Sequence, residues 1–196
     1  MHQLTIIIPA AGASSRMRGR DKLLELLEGQ PMLRRQALIA LPLAPVVVTL
    51  RPDDPREAAL NGLDLAVLHV PDAATGLSAS LRAVAEQVST ALLILPADMP
   101  DLTGDDLATV IAAFWKNPDI IHRGSGATGQ PGHPVVLPAS YLPDLKRLSG
   151  DEGARSLLLG HQVNLVPLPG SHATTDLDTP EDWANWRRSG PAPTPG

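Results

Sequence analysis

The 196-residue chain contains no cysteine. That absence excludes disulfides, thiolate-ligated zinc and a cysteine nucleophile. Aromatic side chains are scarce as well: Phe114, Trp115, Tyr141, Trp183 and Trp186 are the full set. Five scattered rings do not build a stacking platform for single-stranded nucleic acid. A surplus of positive charge is also missing. With 16 Lys and Arg against 21 Asp and Glu, the net charge is −5, which argues against the broad basic face of a nucleic-acid or membrane-surface binder. No apolar run approaches the length of about 20 residues that spans a bilayer. The first residues show no basic region, long apolar stretch or cleavage site. The expectation is a cytoplasmic enzyme with no nucleic acid or membrane among its partners.

Three catalytic signatures are absent too. Gly12 is the only glycine before Arg16, so the Gly-x-Gly-x-x-Gly dinucleotide fingerprint is missing. No Gly-Lys-Ser/Thr follows, which excludes a P-loop. His2, His69, His122, His161 and His172 fall at no metal-ligand spacing. His133, in Gly132-His133-Pro134, follows a glycine-rich stretch and is read either as an acceptor contact or as structural.

What is present is an alternation of apolar runs and helix-like segments. With 43% hydrophobic and 19% charged residues, the chain reads as one folded domain over 1–188, followed by a disordered tail at 189–196. Strands are expected at 5–9, 46–50, 66–70 and 91–95. Helices are expected at 31–41, 54–60, 78–88 and 103–115, the last capped by Thr103. The strand runs are continuously apolar, as in parallel strands buried on both faces. Their order implies an α/β fold, a three-layer α/β/α sandwich with a mostly parallel sheet and right-handed crossovers. Residues 124–132 carry too many glycines for a regular element and read as a mobile loop before a strand at 134–137. Helices at 139–147 and 152–160, a strand at 163–168 and a helix at 180–188 complete the reading.

The chemistry concentrates in a few segments. The first strand ends in Ala10-Ala11-Gly12-Ala13-Ser14-Ser15, and Arg16, Arg18, Arg20 and Lys22 follow at alternate positions. Small residues let a backbone approach a ligand and offer its amides to anionic oxygens. Guanidinium and ammonium groups add charge where phosphates would lie. Asp98, between Pro96 and Pro100, stands where the fourth strand ends, at the sheet edge where open α/β folds bind ligands. It suits a metal ligand or a turn aspartate. Asp176 and Asp178 precede Thr179-Pro180-Glu181, which reads as a helix start. Either could complete a metal site with Asp98, and both could equally be turn acids. Ser78 and Ser80, with Arg82, lie near a helix N-terminus, a natural nucleotide contact or a plain cap.

In order along the chain, the segments that matter are Ala10-Ala11-Gly12-Ala13-Ser14-Ser15-Arg16-Met17, Asp21-Lys22-Leu23-Leu24, Gly76-Leu77-Ser78-Ala79-Ser80-Leu81-Arg82 and Ala97-Asp98-Met99-Pro100. They continue with Gly132-His133-Pro134-Val135-Val136, Gly150-Asp151-Glu152-Gly153-Ala154-Arg155 and Asp176-Leu177-Asp178-Thr179-Pro180-Glu181-Asp182. Together they resemble the MobA-like nucleotidyltransferases, most closely the molybdenum cofactor cytidylyltransferases. The resemblance implies a Rossmann-like sheet of the nucleotide-diphospho-sugar transferase type. It implies Mg²⁺-dependent transfer of CMP from CTP to molybdopterin, with release of pyrophosphate, and a molybdoenzyme or its chaperone as partner. Carried over by motif, Arg16, Lys22 and Asp98 are catalytic. The backbone of Ala10, Ala11 and Gly12 faces the nucleotide, with Arg16, Lys22, Ser78 and Ser80 as contacts. Asp98 and Asp178 hold the metal, Asp178 being favoured over Asp176. The Ala-Ala-Gly form resembles the CTP-using branch, whereas the guanylyl branch usually reads Ala-Gly-Gly. Arg18 before Gly19, Val70 before Pro-Asp and Val84 after Ser-Leu-Arg-Ala depart from the family pattern. Two alternatives accompany this reading: a sugar phosphate or other small phosphate as acceptor, and a non-catalytic nucleotide-binding or cofactor-delivery protein.

Overall fold

The computed structural model describes residues 3–149 and 155–190. The continuous apolar runs form the middle of a seven-stranded sheet. In chain order the elements are β1 (Leu4–Pro9), a two-residue pair β2 (Leu26–Leu27) and β3 (Gln30–Pro31), α1 (Met32–Ala40), β4 (Val46–Leu50) and β5 (Ala66–His69). Then come α2 (Leu77–Gln87), β6 (Ala91–Ile94), α3 (Gly104–Lys116), β7 (Ile121–Ser125) and β8 (Pro131–Leu137). Two short helices, α4 (Leu142–Leu145) and α5 (Arg155–Leu158), precede β9 (Val163–Pro167) and α6 (Pro180–Ser189). The spatial order is β5-β4-β1-β6-β8-β7-β9. β8 runs antiparallel to both of its neighbours, while the other pairings in the sheet are parallel.

Burial on both faces explains the composition of the central strands. Ile6 and Ile8 of β1 pack with Leu33, Ala37 and Ala40 of α1 and Leu107, Val110 and Phe114 of α3. Ile7 points the other way, to Leu81, Val84 and Ala85 of α2 and to Leu142 and Leu145 of α4. Alternate residues of one strand thus feed two cores, and three layers result. The expected threonine cap is present: Thr103 Oγ1 accepts from the Asp106 amide at 3.2 Å, and Asp106 Oδ2 accepts from the Thr103 amide at 2.9 Å. Such a reciprocal cap contributes on the order of 1 kcal/mol.

Several expectations need correction. Residues 124–132 are not one loop, because Gly124 and Ser125 lie in β7 and Pro131 and Gly132 in β8. These glycines are there for close approach. A Cβ on Gly124 would come within 2.3 Å of the His133 carbonyl oxygen, and one on Gly132 within 1.9 Å of the Ala173 carbonyl oxygen. The helix expected at 54–60 is a 3₁₀ segment, Pro55–Leu60. Pro31 precedes α1 as its cap and pairs with Leu26 in a small hairpin that the sequence reading omitted. Ser189, assigned to the tail, ends α6. The tail from 191 and the start of the helix expected at 152–160 lie outside the described residues. Among the described residues no helix is long and apolar enough to cross a membrane.

Candidate active site

The carboxyl ends of β1 and β6 meet at the middle of the sheet edge, and the candidate residues converge there. After Pro9, the Ala10 amide donates to the Thr49 carbonyl of β4 at 3.0 Å. The chain then turns through Ser14 and Arg18, both left-handed at φ 49° and 54°. The intervening 3₁₀ turn drops Met17 into a satellite core with Leu27, Met32, Leu177 and Trp183. That buried methionine fixes which cations face the cleft. Arg18 pairs with Glu181 at 2.8 Å and Arg20 with Glu25 at 2.6 Å on the outer surface. Arg16 and Lys22 point inward.

Lys22 stands between two carboxylates. Its Nζ donates to Asp98 Oδ2 at 2.5 Å and to Asp178 Oδ1 at 2.6 Å, while Arg16 Nη1 donates to Asp178 Oδ2 at 2.5 Å. Two local arrangements bring the acids together. Gln36 Nε2 donates to the Met99 carbonyl at 2.6 Å and fixes the turn that carries Asp98. The Leu177 amide donates to the Asp98 carbonyl at 3.0 Å, stitching the Asp176–Asp178 segment alongside. Asp178 then enters α6 through a second reciprocal cap: Asp182 Oδ2 accepts from the Asp178 and Thr179 amides at 3.2 and 2.8 Å. Thr179 Oγ1 accepts from the Asp182 amide at 3.1 Å. Hydrogen bonds from Thr179 and the neighbouring amides hold the Asp182 carboxyl below its ordinary range.

These groups line a cleft of about 760 Å³, ample for a nucleotide. One wall is the Ala10–Arg16 loop with Arg51, Gly76 and Ser80; Asp98, Asp176 and Asp178 lie at the centre; Arg123, Gln130 and His133 form the far wall. Burial lowers the Lys22 pKa, but Asp98 and Asp178 outweigh it and the net shift is upward. Lys22 is therefore an ammonium at any neutral pH. Burial, reinforced by Asp178 and Asp98, raises the Asp176 carboxyl. His133 is pushed down to about 4 by burial and by Arg123, against the pull of Asp98. It is a neutral imidazole, and among the described residues its Nδ1 has no hydrogen-bond partner.

Comparison with known proteins gives the family. Residues 6–165 match the MobA-like NTP transferase domain. The chain belongs to that family. It is 29% identical to the molybdenum cofactor cytidylyltransferase of Escherichia coli K12 over 193 residues, covering 93% of this chain and 95% of the relative. It is 30% identical to a probable molybdenum cofactor guanylyltransferase of Nostoc, covering 94% and 90%. Among solved structures, a homologue of Mycobacterium tuberculosis Rv0371c from Mycobacterium strain JC1 superposes with a TM-score of 0.79 at 27% identity, covering 95% and 96% of the two chains. The protein is thus a nucleotidyltransferase, and its sheet is that of the nucleotide-diphospho-sugar transferases.

Within the family frame, Ala10, Ala11, Gly12, Arg16, Lys22, Ser80, Asp98 and Asp178 all line the one cleft. Ser78 does not: its side chain is fully buried. Two residues apart on a helix point in nearly opposite directions, so α2 presents Ser80 to the cleft and turns Ser78 into the protein. The segment 150–154 of the resemblance lies outside the described residues. The sequence reading missed Arg51, Arg123 and Arg56. Arg123 falls in a stretch that the sequence reading left without an element, Arg51 in a loop and Arg56 in the 3₁₀ segment, and no local pattern marked any of them.

Proposed function

We propose that this enzyme transfers CMP from CTP to molybdopterin, with Mg²⁺ as cofactor and pyrophosphate as the leaving product. The observation that carries the reading is the Lys22 ammonium held between Asp98 and Asp178 beside the small-residue loop. In the proposed reaction an anionic oxygen of the acceptor phosphate attacks the α-phosphorus. The bond from that phosphorus to the β-phosphate oxygen breaks, and the electron pair leaves with pyrophosphate. No general base is required, because the attacking oxygen is already deprotonated. Lys22 and Arg16 stabilise the charge that builds on the leaving group, through preorganised cations in a partly dry cleft. The amides after Pro9 hold the phosphates, and Ser80 adds a hydroxyl on the same wall.

The donor set fits a hard divalent cation. Asp98 and Asp178 place two carboxylate oxygens on one cation, and among the described residues no cluster of three acidic or histidine ligands competes. One or two carboxylates plus substrate phosphates is the usual provision for Mg²⁺. When bound, the metal would screen the phosphate oxygens and polarise the α-phosphoryl group. A Mycobacterium tuberculosis protein of the same fold was crystallised in complex with manganese. For the base, Ala11 lines the cleft, and the Ala10-Ala11-Gly12 form resembles the CTP-using branch where the guanylyl branch usually reads Ala-Gly-Gly. Full-length similarity runs to a cytidylyltransferase and to a probable guanylyltransferase alike, so the base assignment rests on the Ala10-Ala11-Gly12 form.

The test is pyrophosphate release with Mg²⁺ and molybdopterin cofactor, comparing CTP, GTP, ATP and UTP. CTP-selective release is expected. Release with another nucleotide overturns the base assignment alone. Silence with all four, followed by release with a sugar phosphate, overturns the acceptor. Tight CTP binding without turnover on any acceptor identifies a non-catalytic binder.

A further inference from the structure

Arg56 does not line the cleft, yet most of its guanidinium hydrogen bonds go to the loop that does. Its Nη1 donates to the carbonyl oxygens of Ala10 and Gly12, the latter at 2.7 Å, and its Nη2 donates to Ser14 Oγ at 3.0 Å. Its Nε donates to Asp21 Oδ2 at 2.6 Å. The side chain is 1% exposed, which is rare for an arginine and costly without partners. Asp21 and Asp54 balance the charge, the buried Asp54 also accepting from the Arg56 amide at 3.1 Å. Asp21 in turn accepts from the Leu23 amide at 3.0 Å, on the far side of Lys22.

We propose that Arg56 is a positioning residue for the nucleotide-binding loop. By drawing the Ala10 and Gly12 carbonyls toward the interior it turns the amide edge of residues 11–13 to the cleft. Among the described residues those amides donate to no protein acceptor. Through Asp21 the same guanidinium anchors the segment that aims Lys22. A peptide carbonyl facing a polyphosphate repels it, whereas an amide attracts it, so the direction of each peptide in this loop decides affinity. A planar fork of donors can reach two carbonyls, a hydroxyl and a carboxylate at once. An ammonium in the same space cannot. The proposal rests on the reading of this cleft as the triphosphate site.

The test is the Arg56→Lys variant, which keeps the charge and removes the fork, alongside Arg56→Ala with and without added guanidinium at non-denaturing concentration. Arg56→Lys is expected to stay folded and to weaken CTP binding by about tenfold or more, the loss of one to two charge-assisted hydrogen bonds. The KM for the acceptor should stay within about twofold. Amide hydrogen exchange at residues 10–16 should accelerate. Guanidinium should restore CTP affinity to Arg56→Ala where methylammonium does not. Wild-type protein that binds no nucleoside triphosphate would overturn the cleft assignment and the proposal with it. Wild-type binding matched by a folded Arg56→Lys variant would overturn the proposal alone. So would parallel losses toward both substrates, the mark of a merely structural arginine.

Discussion

Replacing Lys22 with methionine tests the centre of the site, and its consequences can be worked from the distances. Two carboxylate oxygens lie 2.5 and 2.6 Å from one Nζ, and the three side chains are each about one-fifth exposed. The oxygens therefore cannot be farther apart than those two distances combined. Without the ammonium they face each other as like charges. At an effective dielectric near 20, such a pair repels by about 3 kcal/mol. Part of this will relax into water, so a stability loss of about 1–3 kcal/mol is expected at neutral pH.

The sign with pH follows. In wild type the Lys22 contribution is complete below 10.5, because its folded pKa lies above that value, and it is lost only as pH rises past it. Turnover should fall by about 10²–10³-fold, as for removal of one preorganised charge donor. A further readout needs no turnover. Free of their ammonium, Asp98 and Asp178 should bind Mn²⁺ in the absence of nucleotide more tightly in Lys22→Met than in wild type, read by electron paramagnetic resonance titration. Equal Mn²⁺ affinity in the two proteins, or turnover within threefold, would refute this account of the site.

His133 should make the fold acid-sensitive. Its folded pKa of about 4 lies below the ordinary 6.5, so stability should fall by about 3 kcal/mol as pH drops from 6.5 to 4 and no further from this group below that. Urea melts at pH 7.5, 5.5 and 4.5 check it, with His133→Asn expected to flatten the slope; Asp176, raised by burial, opposes it in both proteins. Gly132→Ala should cost about 2–3 kcal/mol, because its Cβ would sit 1.9 Å from a backbone oxygen that cannot swing away. A drop in Tm of roughly 5–10 °C is expected by calorimetry, and a drop under about 2 °C would show that the hairpin yields.

The parallel half of the sheet was legible because its signal is local. A strand buried on both faces has to be apolar throughout, and Ile6, Ile7 and Ile8 say so directly. Thr103 and Thr179 were legible as caps because the cap is a four-residue pattern. Residues 121–133 were not, although the strand at 134–137 was, since Gly124 and Gly132 answer to His133 and Ala173 rather than to their own turn. Glycine chosen for contact looks in sequence like glycine chosen for flexibility. The Glu28-Gly29 turn of the small hairpin was missed because glutamate seldom takes the positive φ of 51° that it adopts there. At the candidate site, Arg16, Lys22 and Asp98 stood out as charged residues in the loops after β1 and β6, whereas Asp178, just before α6, was preferred to Asp176 only by the family resemblance. Arg56 was not, because its role is set by where 3₁₀ packing places it, 35 residues from Asp21 in sequence.

The topology also explains why His133 reaches a site whose other members follow parallel strands. In β1 and β6 the carboxyl end lies at the cleft, so Ala10 and Asp98 come just after their strands. β8 runs the other way against β6, and it is therefore the start of β8, at Pro131–His133, that stands at the same edge. One reversed strand thus extends the nucleotide edge by a second wall, with Asp98 at the junction. On the proposed chemistry that division is needed. A transfer between two phosphate-bearing substrates places repelling anions side by side, each requiring its own wall and a shared cationic centre. Arg16, Arg51 and Lys22 stand on the loop side and Arg123 on the far side. The three central aspartates leave the lining only slightly positive, so two polyanions together exceed what the side chains can neutralise. On that chemistry a divalent cation held by Asp98 and Asp178, the two carboxylates that Lys22 bridges, would supply the rest.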